Sequence, residues 1–161
     1  MILIGFMGSG KTTVGIELAK ILDKPFIDLD QKIVLENNMT IPDIFNKFGE
    51  AGFRQREYES LKNVIEKDAI IATGGGIITY PDSFDLLKNI SKDIFYLEIP
   101  FEISFNRIKD DENRPLTKSK RSDLEKIFEC RIPLYKKLSD YSINASESVN
   151  EIIHNILMHK K

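Results

Sequence analysis

Cysteine is nearly absent: Cys130 is the one thiol in 161 residues. A single thiol excludes an internal disulfide and a cysteine metal cluster, which makes the reducing cytoplasm the expected compartment and packing the expected role of Cys130. An excess of either charge is absent too. Lys and Arg number 23 against 25 Asp and Glu, a formal net charge of -2, which argues against a protein that holds nucleic acid by neutralising phosphates. No apolar run approaches a membrane span, and no basic leader or cleavage site precedes the first apolar residues. Repeats, low-complexity tracts and linkers rich in Ser, Gly or Pro are also missing. A single domain over 1–161 is expected, soluble, untargeted, monomeric and acting on a small ligand, with 42% hydrophobic residues to form its core.

What is present begins at once. Gly5-Phe6-Met7-Gly8-Ser9-Gly10-Lys11-Thr12 fits G-x-x-x-x-G-K-[ST], behind the apolar Ile2-Leu3-Ile4 and ahead of a helical pattern. An anionic polyphosphate has to be wrapped by backbone N–H groups, and glycines at 5, 8 and 10 let the chain turn and approach closely. Lys11 supplies a point charge to the outer phosphates, the Thr12 hydroxyl suits Mg²⁺, and the helix offers its positive end. A nucleoside triphosphate is the expected ligand; the bland alternative is a glycine-rich turn that matches by coincidence.

Along the chain, 11–22 has helical apolar spacing, 26–30 reads as a second strand, and 69–73 is an apolar strand that stops at Gly74-Gly75-Gly76. Residues 93–99 form a fourth strand and 141–144 a weaker fifth. Strands alternating with helices predict a parallel sheet of about five strands, buried on both faces, with ligands beyond the carboxyl ends of the strands. Two segments interrupt this rhythm. Between the second and third strands a helical stretch, about 31–60, carries a capping box at Thr40-Ile41-Pro42-Asp43 and a stop at Gly49 before a helix through Glu66, and reads as an inserted substrate-binding lobe. The polar segment of about 109–122 reads either as a solvated loop or as a mobile lid, and the phosphate loop favours the lid because phosphoryl transfer needs water excluded.

Asp28 and Asp30, two apart in an extended segment, are expected on one side of the strand beside the phosphate loop, Asp28 toward Mg²⁺ and Asp30 toward an acceptor hydroxyl. One of them is alternatively a cap for the helix that follows. Arg54 is either a ligand-reaching arginine or a surface residue paired with an acid. Three consecutive glycines at 74–76 suit a floor on which a ligand touches backbone.

Taken together, the chain resembles the shikimate kinase family. The resemblance rests on Gly8-Ser9-Gly10-Lys11-Thr12-Thr13, Asp28 and Asp30, Phe53-Arg54 with Glu57, Thr73-Gly74-Gly75-Gly76, Arg114-Pro115-Leu116, and Arg131 before Pro133-Leu134-Tyr135. It implies an α/β, P-loop nucleoside-monophosphate-kinase-like three-layer fold, and transfer of the γ-phosphate of ATP to the 3-hydroxyl of shikimate, with Mg²⁺, on the route to chorismate and the aromatic amino acids. The implied roles are shikimate binding by Asp30, Arg54, Gly75, Gly76 and Arg131, and catalysis by Lys11, Asp30 and Arg114. ATP would meet Gly8, Ser9, Gly10, Lys11, Thr12, Thr13, Arg107 and Arg114, with Arg107 stacked on adenine, and the metal would meet Thr12 and Asp28. The chemistry is consistent, since two arginines make a planar, bidentate clamp for a carboxylate. Departures from the family pattern are Ala51, Asn38 and the short segment 144–148. The competing readings are a kinase of another polyol acid such as gluconate, which would not need Arg54 and Arg131 in this pattern, and a nucleotide-binding protein without turnover, which the joint presence of Lys11, Asp30 and Arg114 disfavours.

Overall fold

The computed structural model describes residues 1–109 and 120–159. Five strands, β1 (Ile2–Ile4), β2 (Phe26–Asp28), β3 (Ile70–Ala72), β4 (Ile94–Glu98) and β5 (Tyr141–Asn144), form one sheet in the order β2-β3-β1-β4-β5. Every pairing is parallel, as Ile2 opposite both Ile71 and Ile94, Phe26 opposite Ile70, and Phe95 opposite Tyr141 illustrate. Such short apolar strands pair in parallel only through crossovers, which six helices supply among the described residues, α1 (Lys11–Leu22), α2 (Leu29–Asn37), α3 (Ile41–Lys62), α4 (Pro81–Lys88), α5 (Phe101–Ile108) and α6 (Arg121–Leu138), with α7 (Val149–His159) following the last strand.

The alternation of side chains along each strand divides the core in two. Ile2, Ile4, Ile71 and Tyr96 pack on one face with residues of α2, α3 and α6, whereas Leu3, Ile70, Phe95 and Leu97 pack on the other with Val14 and Leu18 of α1 and Ile152, Ile153 and Ile156 of α7. These are the three layers. β2 departs from the expectation of full burial: it is an edge strand, and all three of its residues are half-buried.

The segment between β2 and β3 carries two local signals that act as written in the sequence. Thr40 caps α3, its hydroxyl accepting from the Asp43 N–H at 3.2 Å and donating to the Asp43 carboxylate at 2.6 Å. Gly49, at φ 69° and ψ -177°, is non-helical and stops the first helical segment of α3 before a second begins, because only glycine takes that conformation without strain. The helix stops at Lys62, short of the expected Glu66. Farther on, α6 begins at Arg121, so 121–122 belong to a helix and not to the polar segment before it. The rest of that expected lid, 110–119 with Arg114, lies outside the described residues. Cys130 is exposed on α6 and has no part in the core.

Candidate active site

β1 feeds directly into the phosphate loop, and the loop's backbone explains its glycines. Gly8 and Gly10 take φ 76° and 91°, left-handed values that side chains resist, and a Cβ on Gly10 would meet nothing within 4 Å, leaving its surroundings to a ligand. Gly10 is also the N-cap of α1, without a side-chain cap, so the first turn of the helix opens its N–H groups toward the loop. Lys11 is the first residue of that turn. Its ammonium is folded into the loop and donates to the carbonyls of Gly5 at 2.8 Å and Phe6 at 2.9 Å and to Ser9 Oγ at 3.3 Å. From α5, Arg107 donates to the Gly8 carbonyl at 2.9 Å, and Ser104 Oγ to the Met7 carbonyl at 2.7 Å, which ties the loop to that helix.

Asp28 ends β2 and caps α2, so the pair of aspartates is not extended as the sequence suggested. Asp28 Oδ1 accepts from the N–H groups of Asp30 at 3.0 Å and Gln31 at 3.2 Å, while its Oδ2 accepts from the Thr12 hydroxyl at 2.8 Å. The capping and the loop-facing expectations for Asp28 thus hold together, one on each oxygen. Asp30 sits in the first turn of α2.

Arg54 is buried, which excludes the surface reading. Its Nη1 donates to Glu57 Oε2 at 2.5 Å, and Glu57 is wholly inaccessible. The triple glycine makes room for them. None of Gly74, Gly75 and Gly76 takes a positive φ; their service is space. A Cβ on Gly76 would stand 2.6 Å from Arg54 Nη1 and closer still to Cζ and Nη2, and one on Gly74 would stand 2.9 Å from Asp30 Oδ1 and closer to Glu57 Oε1. Arg131, on α6, is buried as well, with its guanidinium 5.7 Å from the centre of the Phe6 ring. Tyr135, one turn on, donates its hydroxyl to the Gly75 carbonyl and stacks on Tyr96 at 5.0 Å.

Burial dominates the electrostatics. It drives Glu57 up to about 7, because desolvation outweighs the attraction of Arg54, and Asp30 adds like-charge repulsion. It draws Arg131 down from its ordinary value, the neighbouring Arg54 adding in the same direction, and holds the Tyr135 phenol up. Arg54, Glu57 and Asp30 therefore border the glycine turn, with Arg131 in electrostatic reach of the first two.

A cavity of about 350 Å³ joins these parts. Gly8 to Thr13, Asp28, Asp30, Gly75 and Arg107 line it, and so do Thr73, Ala145, Glu147, Val149 and Ile152. One end is the phosphate loop, and the other is the start of α7.

A family model for shikimate kinase matches residues 7–160. The chain belongs to the shikimate kinase family. It is 41% identical to the shikimate kinase of Staphylococcus epidermidis over 153 residues, covering 94% of this chain and 89% of that one, and 38% identical to the shikimate kinase of Aquifex aeolicus over 157 residues, covering 97% and 92%. In three dimensions it is similar to a shikimate kinase from Acinetobacter baumannii solved in complex with shikimate, with a TM-score of 0.91, 37% identity, and coverage of 99% of this chain and 93% of that one. A deoxyadenosine kinase from M. mycoides with bound dATP, at 18% identity and a TM-score of 0.62 with 98% and 97% coverage, shares the fold. The fold is that of the P-loop nucleoside-monophosphate-kinase-like enzymes.

Within this shikimate kinase family member, the site residues named from the sequence fall into two sets. Gly8 to Thr13, Asp28, Asp30, Gly75 and Arg107 share the cavity; Arg54, Gly76 and Arg131 form the buried group beside it; Arg114 lies outside the described residues. Sequence reasoning passed over Glu57 as a charge partner, although it stands three residues from Arg54 on a helix, the spacing at which such pairs meet. Tyr135 as a donor to Gly75, and Val149 and Ile152 as cavity lining, had no local signal, whereas Glu147 falls in the segment 144–148 that the sequence comparison with the family had singled out.

Proposed function

We propose that this chain transfers the γ-phosphate of ATP to the 3-hydroxyl of shikimate. The observation that carries the reading is a single cavity in which the phosphate loop, Asp30 and Gly75 share the lining, with the buried Arg54 of α3 against the same glycine turn and the buried Arg131 of α6 in electrostatic reach of Arg54. The triphosphate lies on the N–H groups of the loop and the first turn of α1, with Lys11 exchanging its loop carbonyls for phosphate oxygens. The base extends past Arg107 toward the start of α7. Shikimate lies on Gly75, its carboxylate on Arg54 and Arg131, whose planar forks suit that group, and its hydroxyl on Asp30. Asp30 accepts or orients the hydroxyl proton, while positioning of the acceptor in line with the phosphorus supplies most of the rate. Arg114 adds positive charge to the transferring group.

Thr12 and Asp28 fit a magnesium ion. They offer one hydroxyl and one carboxylate, both hard oxygen donors, 2.8 Å apart beside the phosphate loop. No group of three or more His, Cys, Asp or Glu side chains that could hold a metal occurs among the described residues, and an ion that keeps its waters and leans on phosphates needs no such group. Bound there, magnesium would offset charge on the phosphate oxygens. The segment of about 31–60 serves as the acceptor lobe and that of about 109–122 as the closing segment. The protein works as a cytoplasmic monomer in this reading, with no part for nucleic acid or membrane; no helix among the described residues is long and apolar enough to cross a bilayer.

A coupled assay of ADP release, with shikimate, with gluconate and with no acceptor, tests the reading. Turnover that requires both shikimate and magnesium is expected. Equal rates in the three conditions would refute it.

A further inference from the structure

Glu57 stands out for being buried, ionisable and only half satisfied. Its side chain has no accessible surface. Oε2 accepts from Arg54, but Oε1 is buried without a hydrogen-bond partner. That oxygen and Asp30 Oδ1 both border the space that a Cβ on Gly74 would fill, so two carboxyl groups converge where no side chain separates them. The charged and titratable groups facing Glu57 are Arg54 on its own helix, Asp30 on α2, and Arg131 and Tyr135 on α6. Glu50, one turn before Arg54, reaches its Nη2 at 3.6 Å from the rim.

We propose that Glu57 takes up a proton from solvent when the substrate carboxylate docks on Arg54 and Arg131, so that this chain binds its anionic acceptor together with a proton. The proposal rests on the assignment of the two arginines to the shikimate carboxylate. The physical reason is competition inside a low-dielectric cluster. Without substrate, Arg54 and Arg131 balance Glu57 and Asp30. Docking adds a third carboxylate beside Arg54 and Arg131 and leaves one negative charge too many in a place where unbalanced charge is costly. Glu57 is the member of the group that can yield. It is the most deeply buried, and burial already holds it near 7, where a modest added field decides its state. The incoming proton settles on Oε1, the oxygen without a partner, and the resulting O–H is directed toward the Asp30 carboxylate. Oε2 keeps its bond from Arg54, so the arginine stays in register while the repulsion disappears.

The test is calorimetric titration of shikimate into the whole protein, repeated in buffers of different ionisation enthalpy, which counts protons taken up per ligand bound. Below the ordinary carboxylate-to-neutral window Glu57 is already protonated and uptake is near zero. At pH 7 it reaches roughly half a proton, and above pH 8 it approaches one, with the shikimate Kd rising by up to about tenfold per pH unit there. Glu57→Gln, a permanent mimic of the neutral acid, abolishes the uptake and flattens the pH dependence while retaining affinity close to that of the wild type at low pH. A merely structural role for Glu57 predicts no such change in proton count. Uptake that persists in Glu57→Gln assigns the proton elsewhere and overturns the proposal. If that variant does not fold, infrared difference spectra of the wild type with isotopically labelled glutamate replace it: a protonated glutamic C=O band must appear on adding shikimate, and its absence overturns the proposal. A wild type that binds shikimate with no uptake at any pH defeats this proposal alone. One that binds no shikimate at all defeats the functional reading, and this proposal with it.

Discussion

Gly76→Ala adds one methyl group, and the structure says where it would go. The new Cβ stands 2.6 Å from Arg54 Nη1 and closer to Cζ and Nη2, so either the turn or the guanidinium has to move. The turn is constrained, because the adjoining Gly75 carbonyl accepts from Tyr135 and the Gly76 carbonyl accepts from the Thr79 hydroxyl at 2.7 Å and from its N–H at 3.0 Å. The guanidinium, at the end of a long side chain, therefore yields. Its displacement lengthens the 2.5 Å bond to Glu57 and takes Arg54 away from the place assigned to the shikimate carboxylate. Losing hydrogen bonds to a charged group costs about 1.5–3 kcal/mol, equivalent to a roughly 10- to 100-fold weaker shikimate affinity. The phosphate loop is not touched, so ATP affinity should stay within about twofold of the wild type, by the independence expected of sites with no shared partners. Separate calorimetric titrations of the two ligands measure both effects, and a thermal melt reports the accompanying loss of stability from the disturbed buried ion pair. Unchanged shikimate affinity in a folded Gly76→Ala protein would refute the placement of Arg54 in the substrate site. A fall in ATP affinity alone would move Arg54 to the nucleotide side.

Three further outcomes are expected. Asp30→Asn should cripple phosphoryl transfer with nucleotide affinity nearly intact, whereas Asp28→Asn, which weakens the acceptor facing Thr12, should raise the magnesium concentration needed for half-maximal rate; exchanged phenotypes in steady-state assays would reverse the two roles. Arg114→Ala should lower kcat on the order of 10²-fold while leaving shikimate affinity unchanged, as for other donors to a transferring group, and an unchanged kcat would remove Arg114 from the chemistry. Glu57 binds its proton more tightly in the folded protein, near 7, than at its ordinary value of 4.5. Its contribution to stability is therefore fully present below 4.5 and lost as pH rises through about 7, a swing of roughly 3 kcal/mol. Urea unfolding midpoints of wild type and Glu57→Gln, compared at pH 5 and pH 8, should diverge accordingly; parallel behaviour would show that Glu57 is not held neutral by burial.

Much of this protein is determined by short-range chemistry and was legible before any tertiary contact. Three local features define the phosphate loop: glycines at positions that need left-handed backbone, a lysine at the first helical position and a strand behind it. The caps at Thr40 and Asp28 and the break at Gly49 depend on residues no more than three apart, so their outcome follows from side-chain hydrogen bonding and backbone sterics alone. The family resemblance was likewise carried by local motifs. Tertiary structure decided what depends on distance through space. The order β2-β3-β1-β4-β5 makes β2 an edge strand, a fact that its apolar sequence conceals, since pairing is settled by which crossovers pack on which face. Asp28 had two competing local readings, and only the approach of α1 let Thr12 take one oxygen while α2 took the other. Arg54 looked equally fit for the surface or the site until the glycine turn after β3, some twenty residues on, met its guanidinium. Glu57 is the sharpest case: its spacing from Arg54 permits an ion pair, but its proton affinity comes from desolvation by the closed core and from Asp30 on another helix, and neither exists until the sheet and its lobe have assembled.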